Sequence, residues 1–150
     1  VIVFGFLRQA IATQQSPPNQ VLVGLALILT FFIMMPTYQR VYDDAIVPYV
    51  NEEITQAEAW NAGLAPIREF MFRQARPKDV QLFMEIGGYP RPASPDDVPL
   101  HVLVPGFVIS ELRIAFQIGF LLYIPFLIID MVVASTLMAM GMMMLPPVFI

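Results

Sequence analysis

Apolar residues in this chain gather in long blocks that are apolar on every side, separated by one polar stretch. The longest block runs from Glu111 to Pro147 (ELRIAFQIGFLLYIPFLIIDMVVASTLMAMGMMMLPP), and from Ile114 to Leu145 its only strongly polar side chains are Gln117 and Asp130. At about 1.5 Å per helical residue this run is longer than the ~30 Å hydrocarbon core of a bilayer, so it is not one simple straight span. Pro125 removes a backbone donor, and Gly119 and Gly141 are further hinge candidates. Two readings follow: a kinked helix that begins outside the bilayer, or two half-spanning segments that meet near Asp130. Val21–Met35 (VLVGLALILTFFIMM) is a second all-round apolar run, just long enough to span, with Pro36 and Arg40 marking its end. Val1–Leu7 reads as the tail of an earlier apolar segment closed by Arg8, and Ser16-Pro17-Pro18-Asn19 is a turn between two arms of a hairpin.

Between the blocks the pattern is that of short amphipathic helices. Thr55 followed by Glu58 has capping-box spacing, and Gly63 is expected to stop a helix begun at Gln56. Pro66 then suits the first turn of a new helix, Pro77 the start of another over Lys78–Ile86, with Gly87-Gly88 ending it. Tyr89–Pro99 is a Pro-rich loop in which Ser94-Pro95-Asp96-Asp97 can start one helical turn. An insert this small buries little core alone. The expected organisation is all-α: a hydrophobic helical hairpin over residues 1–39, a helical insert over 40–103, and a third hydrophobic segment with a methionine loop over 104–150.

Composition supports a membrane protein: 57% of the 150 residues are hydrophobic and 13% charged. Charge is confined mainly to the insert, whose acidic excess fits an exterior location and a solvated surface, not a nucleic-acid surface. Without cysteine there are no disulfides, thiolate nucleophiles or zinc–thiolate sites. Val1 is not a Met start and the chain stops in mid-pattern, which reads as a fragment cut at both ends.

Enzymatic chemistry lacks its parts. The single histidine, His101, stands in no HExxH, and no glycine-rich phosphate loop or GxSxG is present. Asp43-Asp44 and Glu52-Glu53 have no ligand spacing around a fixed turn glycine, so they read as a solvated acidic face. No cofactor or metal is expected. Asp130 is costly at membrane depth and must face protein or water, as an anchor between helices or as a proton relay, of which the anchor is preferred. Glu111 and Arg113 stand where the long block leaves water, as boundary charges or as partners in an intersubunit contact. Of ten methionines, six lie between Met131 and Met144, ending in Met142-Met143-Met144. Three consecutive helical residues point three ways, so the triplet is no stripe for one packed face; Gly141 before it and Pro146-Pro147 after it suggest a bend or loop. Methionine is a general gap filler, but such loops from several subunits could also meet on an axis as a deformable plug.

Three strings, PPNQVLVGLALILTFFIMMP (Pro17–Pro36), REFMFRQ (Arg68–Gln74) and SELRIAFQIGFLLYIPFLIIDMVVASTLMAMGMMMLPP (Ser110–Pro147), resemble the FliP/SctR family of type III secretion export-gate proteins. PPNQVL and Gln117 in AFQIGF favour the flagellar branch over the injectisome SctR branch. The resemblance implies five copies assembled with FliQ and FliR into a helical funnel, working with FlhA and FlhB at the flagellar basal body in the bacterial inner membrane. It implies passage of unfolded flagellar export substrates and no enzyme activity. It makes Met142, Met143 and Met144 a pore gasket and the insert an extracytoplasmic element of subunit association, with a fourth hydrophobic segment after Pro147. The alternatives are a structural scaffold for gate assembly with no pore-lining role, and a transporter or proton channel working alone through Asp130.

Overall fold

The structure, a computed structural model, describes residues 1–13 and 15–141. The described residues form helices and connecting turns, with no strand among them. In chain order these are α1 (Ile2–Ala10), α2 (Asn19–Ile33), α3 (Met35–Val41), a π-helical turn (Tyr42–Ile46), α4 (Val47–Val50), α5 (Gln56–Gln74), α6 (Pro77–Ile86), a 3₁₀ turn (Pro95–Asp97) and α7 (Leu100–Ala139). The chain divides into two compact units: one of Val1–Ile28 with α7 from Arg113 onward, the other of Leu29–Leu112.

In the first unit, Arg8 near the end of α1 donates to the Pro17 carbonyl at 3.2 Å and to Asn19 Oδ1 at 2.6 Å, tying the Ser-Pro-Pro-Asn turn to the helix before it. The turn expected from the two prolines is thus held by the charge expected to close the first apolar segment.

Within the second unit the helical path breaks at Met34, between α2 and α3. Pro36 sits in the first turn of α3, where its missing N–H costs nothing, so the residue expected to end a helix begins one. Phe31 and Tyr38 stack across the break with ring centroids 5.4 Å apart. The path through α3, the π turn and α4 then pairs with α5, and an exposed Arg40–Glu69 ion pair of 2.8 Å links α3 to α5. The arginine holds the Glu69 carboxyl below its ordinary value, by hydrogen bond and by charge.

Helix α5 opens on the expected capping box: Thr55 Oγ1 accepts from the Glu58 N–H at 3.3 Å, and the Glu58 carboxylate accepts from the Thr55 N–H at 2.8 Å. These bonds lower the Glu58 pKa. The helix does not stop at Gly63, nor does a new one start at Pro66; it is continuous from Gln56 to Gln74 with Pro66 inside. The reason is tertiary. A Cβ on Gly63 would lie 3.3 Å from the Ala45 Cβ and 3.6 Å from Val41, so this glycine admits a neighbouring helix and is not a cap.

Helix α6 starts at Pro77 and gives way to Gly87 and Gly88, the latter at φ +70°. Its buried face, Val80 and Met84, joins Met71 of α5, Ala75 just after that helix, and Val98, Val102 and Leu103 in one core. The first turns of α7 therefore belong to the core of this unit. Arg68 fastens the intervening loop, donating to the carbonyls of Pro95, Asp96 and Val98.

Candidate functional site

Helix α7 carries most of the side chains marked by the sequence. Forty residues at about 1.5 Å each give roughly 60 Å of helix, about twice a hydrocarbon core. It is unbroken through Gly119 and Pro125, which removes the reading of two half-spanning segments meeting near Asp130. Only 11% of its most apolar 18-residue window is buried. It is the one helix among the described residues long and apolar enough to cross a membrane; Asn19–Ile33 with Met35–Val50 qualifies if the bent pair is one span.

The helix is covered along one stripe. Gly119 and Ala134 are buried and Tyr123, Phe126 and Asp130 half-buried, at intervals of four, three, four and four that keep them on one face. Phe6 of α1 fits into this stripe. Its ring meets Phe116 and Tyr123 edge-on, at centroid distances of 6.1 and 6.5 Å, and fills the space where Gly119 has no side chain. The opposite face, with Leu121, Pro125, Ile128 and Val132, is exposed. Helix α2 likewise exposes Leu27, Ile28, Phe32 and Ile33. Surfaces this apolar belong against lipid or other protein chains.

The four polar candidates do not form one cluster. Arg113 and Gln117 lie one turn apart and are exposed; Glu111 is half-buried in the other compact unit. Asp130 stands 13 residues beyond Gln117, about 20 Å along the axis, on the covered stripe. Among the described residues the Asp130 carboxylate makes no hydrogen bond or ion pair; its backbone belongs to the helix. Gly141 has φ +96°, a conformation that suits glycine, and follows directly on the end of the helix: Met140 N–H still bonds to the Thr136 carbonyl at 3.1 Å. Met142, Met143, Met144, Pro146 and Pro147 lie outside the described residues.

Two arrangements went unread in the sequence. Ser110 on α7, completely buried, donates from Oγ to Asp79 Oδ2 at 2.8 Å and accepts from the Arg76 N–H at 2.9 Å, so one hydroxyl joins α7 to the start of α6. The other is a groove of about 740 Å³ between the Val41–Tyr49 helices and α5, lined by Ile46, Tyr49 and Trp60 among others. Among the described residues no group of three or more carboxylates or imidazoles converges to hold a metal ion.

The FliP family model matches residues 1–150. The chain is 56% identical over 150 residues to the flagellar biosynthetic protein FliP of Bacillus subtilis (strain 168), covering all of this chain and 68% of the relative. It is 54% identical over 147 residues to the protein of that name from Pectobacterium carotovorum subsp. carotovorum, covering 98% of this chain and 57% of the relative. The FliP protein of Caulobacter vibrioides is 52% identical over 147 residues, with 98% and 55% covered. The chain thus spans between about half and two thirds of these relatives.

Proposed function

Because this chain belongs to the FliP family, we propose that it is a membrane-embedded subunit of the flagellar protein export gate, a conduit for unfolded flagellar proteins with no catalytic step of its own. The single observation that carries this reading beyond the family match is Asp130. A half-buried carboxylate on an apolar helix, without a hydrogen-bond partner in the described residues, requires protein or water beside it, and neighbouring subunits provide that. The exposed walls of α2 and α7 are then surfaces on which copies of this chain, FliQ and FliR pack, in the inner membrane at the basal body. The insert, residues 40–103, lies on the extracytoplasmic side, and FlhA and FlhB work with the assembled gate. Five copies follow from the family resemblance.

In this reading Met142, Met143 and Met144 from several copies meet on the axis and close it. Flexible thioethers block water and ions yet yield to a passing polypeptide. The test is ion leakage through assembled complexes of the full-length protein with FliQ and FliR. Replacing Met142–Met144 with alanine raises leakage; unchanged leakage in complexes of verified assembly contradicts the gasket. The flagellar branch is preferred to the injectisome branch because the relatives above are flagellar proteins.

A further inference from the structure

The insert concentrates its charge in one place. Residues 41–64 hold Asp43, Asp44, Glu52, Glu53 and Glu58 and no Lys, Arg or His, whereas residues 65–113 hold six cationic and six anionic side chains. This acidic stretch forms the tip of the hairpin made by the π turn and α4 on one side and the start of α5 on the other. The same tip is apolar to a degree that solvated surfaces are not. Trp60, the only tryptophan, is 70% exposed, as is Val50, and Tyr49 and Ile46 are nearly half exposed. Ile46, Tyr49 and Trp60 line the groove between the two arms.

We propose that this hairpin tip docks a cationic segment of a different protein, with an apolar side chain seated against Trp60 and Tyr49 and Lys or Arg residues placed among the surrounding carboxylates. Charge decides between occupants. Two tips facing each other bring five carboxylates against five with no cation on either, which disfavours the pairing, and residues 65–113 of a second copy, with six cationic and six anionic side chains, offer the tip no net positive charge. An anionic lipid surface is repelled for the same reason. A basic partner relieves this excess, and an exposed tryptophan beside a tyrosine is the kind of anchor that dominates docking energetics. Groove and acidic rim both lie within the one compact body Leu29–Leu112. The proposal does not depend on the gasket or on how many copies assemble.

The experiment replaces Ile46, which lines the same groove, with a photoreactive phenylalanine in the full-length protein so that Trp60 and Tyr49 stay in place, crosslinks the assembled complex in membranes, and sequences the attached peptide. The result expected is one segment of another protein with net positive charge. Converting Asp43 and Asp44 to Asn and Glu52 and Glu53 to Gln should reduce the yield on the order of tenfold. Glu58 is left in place because it caps α5. A crosslink to a second copy of this chain, a crosslink to lipid or to an acidic or neutral segment, an unchanged yield in the neutralised variant, or no crosslink in an assembled complex each overturns the proposal.

Discussion

Phe6 occupies the place that a side chain on Gly119 would fill: a Cβ built there lies 2.9 Å from the ring Cγ and 3.2 Å from the Phe6 Cβ. Gly119 therefore acts as a seat for an aromatic ring, whatever bending it also permits. Gly119→Ala should destabilise the full-length protein in detergent by about 1–3 kcal/mol through overpacking. In a double-mutant cycle by thermal unfolding, Phe6→Ala should remove most of that penalty, because the clash needs both residues. Additive costs would show that the two do not meet.

Ser110 joins α7 to the start of α6 through one hydroxyl. Ser110→Ala leaves the buried Asp79 carboxylate and the Arg76 N–H each short of one partner, at a cost of about 1–3 kcal/mol. The cost should appear in unfolding of the insert, read by hydrogen exchange in α6. Exchange unchanged from the parent protein would mean that this hydroxyl contributes little.

The insert should also lose stability in acid. Glu58 and Glu69 both have folded pKa values lowered from 4.5, the first by bonds to Thr55 and the second by Arg40. A depressed folded pKa binds protons less readily than the unfolded chain does. The stabilisation is therefore complete above pH 4.5 and is lost as pH falls through the lower folded values. Arg40→Met and Thr55→Val should each flatten this dependence, measured by denaturant unfolding across the acid range. Both carboxylates are exposed, so added salt should weaken the Arg40 contribution. An unaltered pH profile in both variants would place the dependence elsewhere.

What could be read from residues alone was local. Thr55 and Glu58, Pro77, Gly88 and the Ser94–Asp97 turn each act through neighbours within about four positions, and each appears where its chemistry places it. Gly63 and Pro66 misled because their role is set by a helix some twenty residues away: Ala45 and Val41 press on Gly63, and that packing holds α5 together across a proline. Pro36 reads as a stop after an apolar run, yet proline suits a first helical turn equally well. The Phe6–Gly119 seat was partly visible as Phe116, Gly119 and Tyr123 at three and four spacing, but nothing in that pattern names the ring that fills it. Asp130 is legible as a residue in need of a partner; it stands half-buried on the covered stripe of α7, where the described residues give its carboxylate none. The hairpin-tip groove had only its rim in view, as two acidic pairs, until Trp60 and Tyr49 were brought beside them.

The central claim is that methionines from several copies meet on one axis, and a crosslink at the middle of the triplet tests it most directly. The chain contains no cysteine, so Met143→Cys introduces a single thiol per copy in a full-length protein whose cysteines outside this chain, if any, are replaced by serine. Mild oxidation of membranes should give disulfide-linked dimers of this chain, and omitting FliQ or FliR should abolish them, since Cys residues bridge only when their Cα atoms come within about 7 Å. Absence of the dimer in complexes shown to be assembled would return Met142–Met144 to ordinary packing and leave the scaffold reading in front.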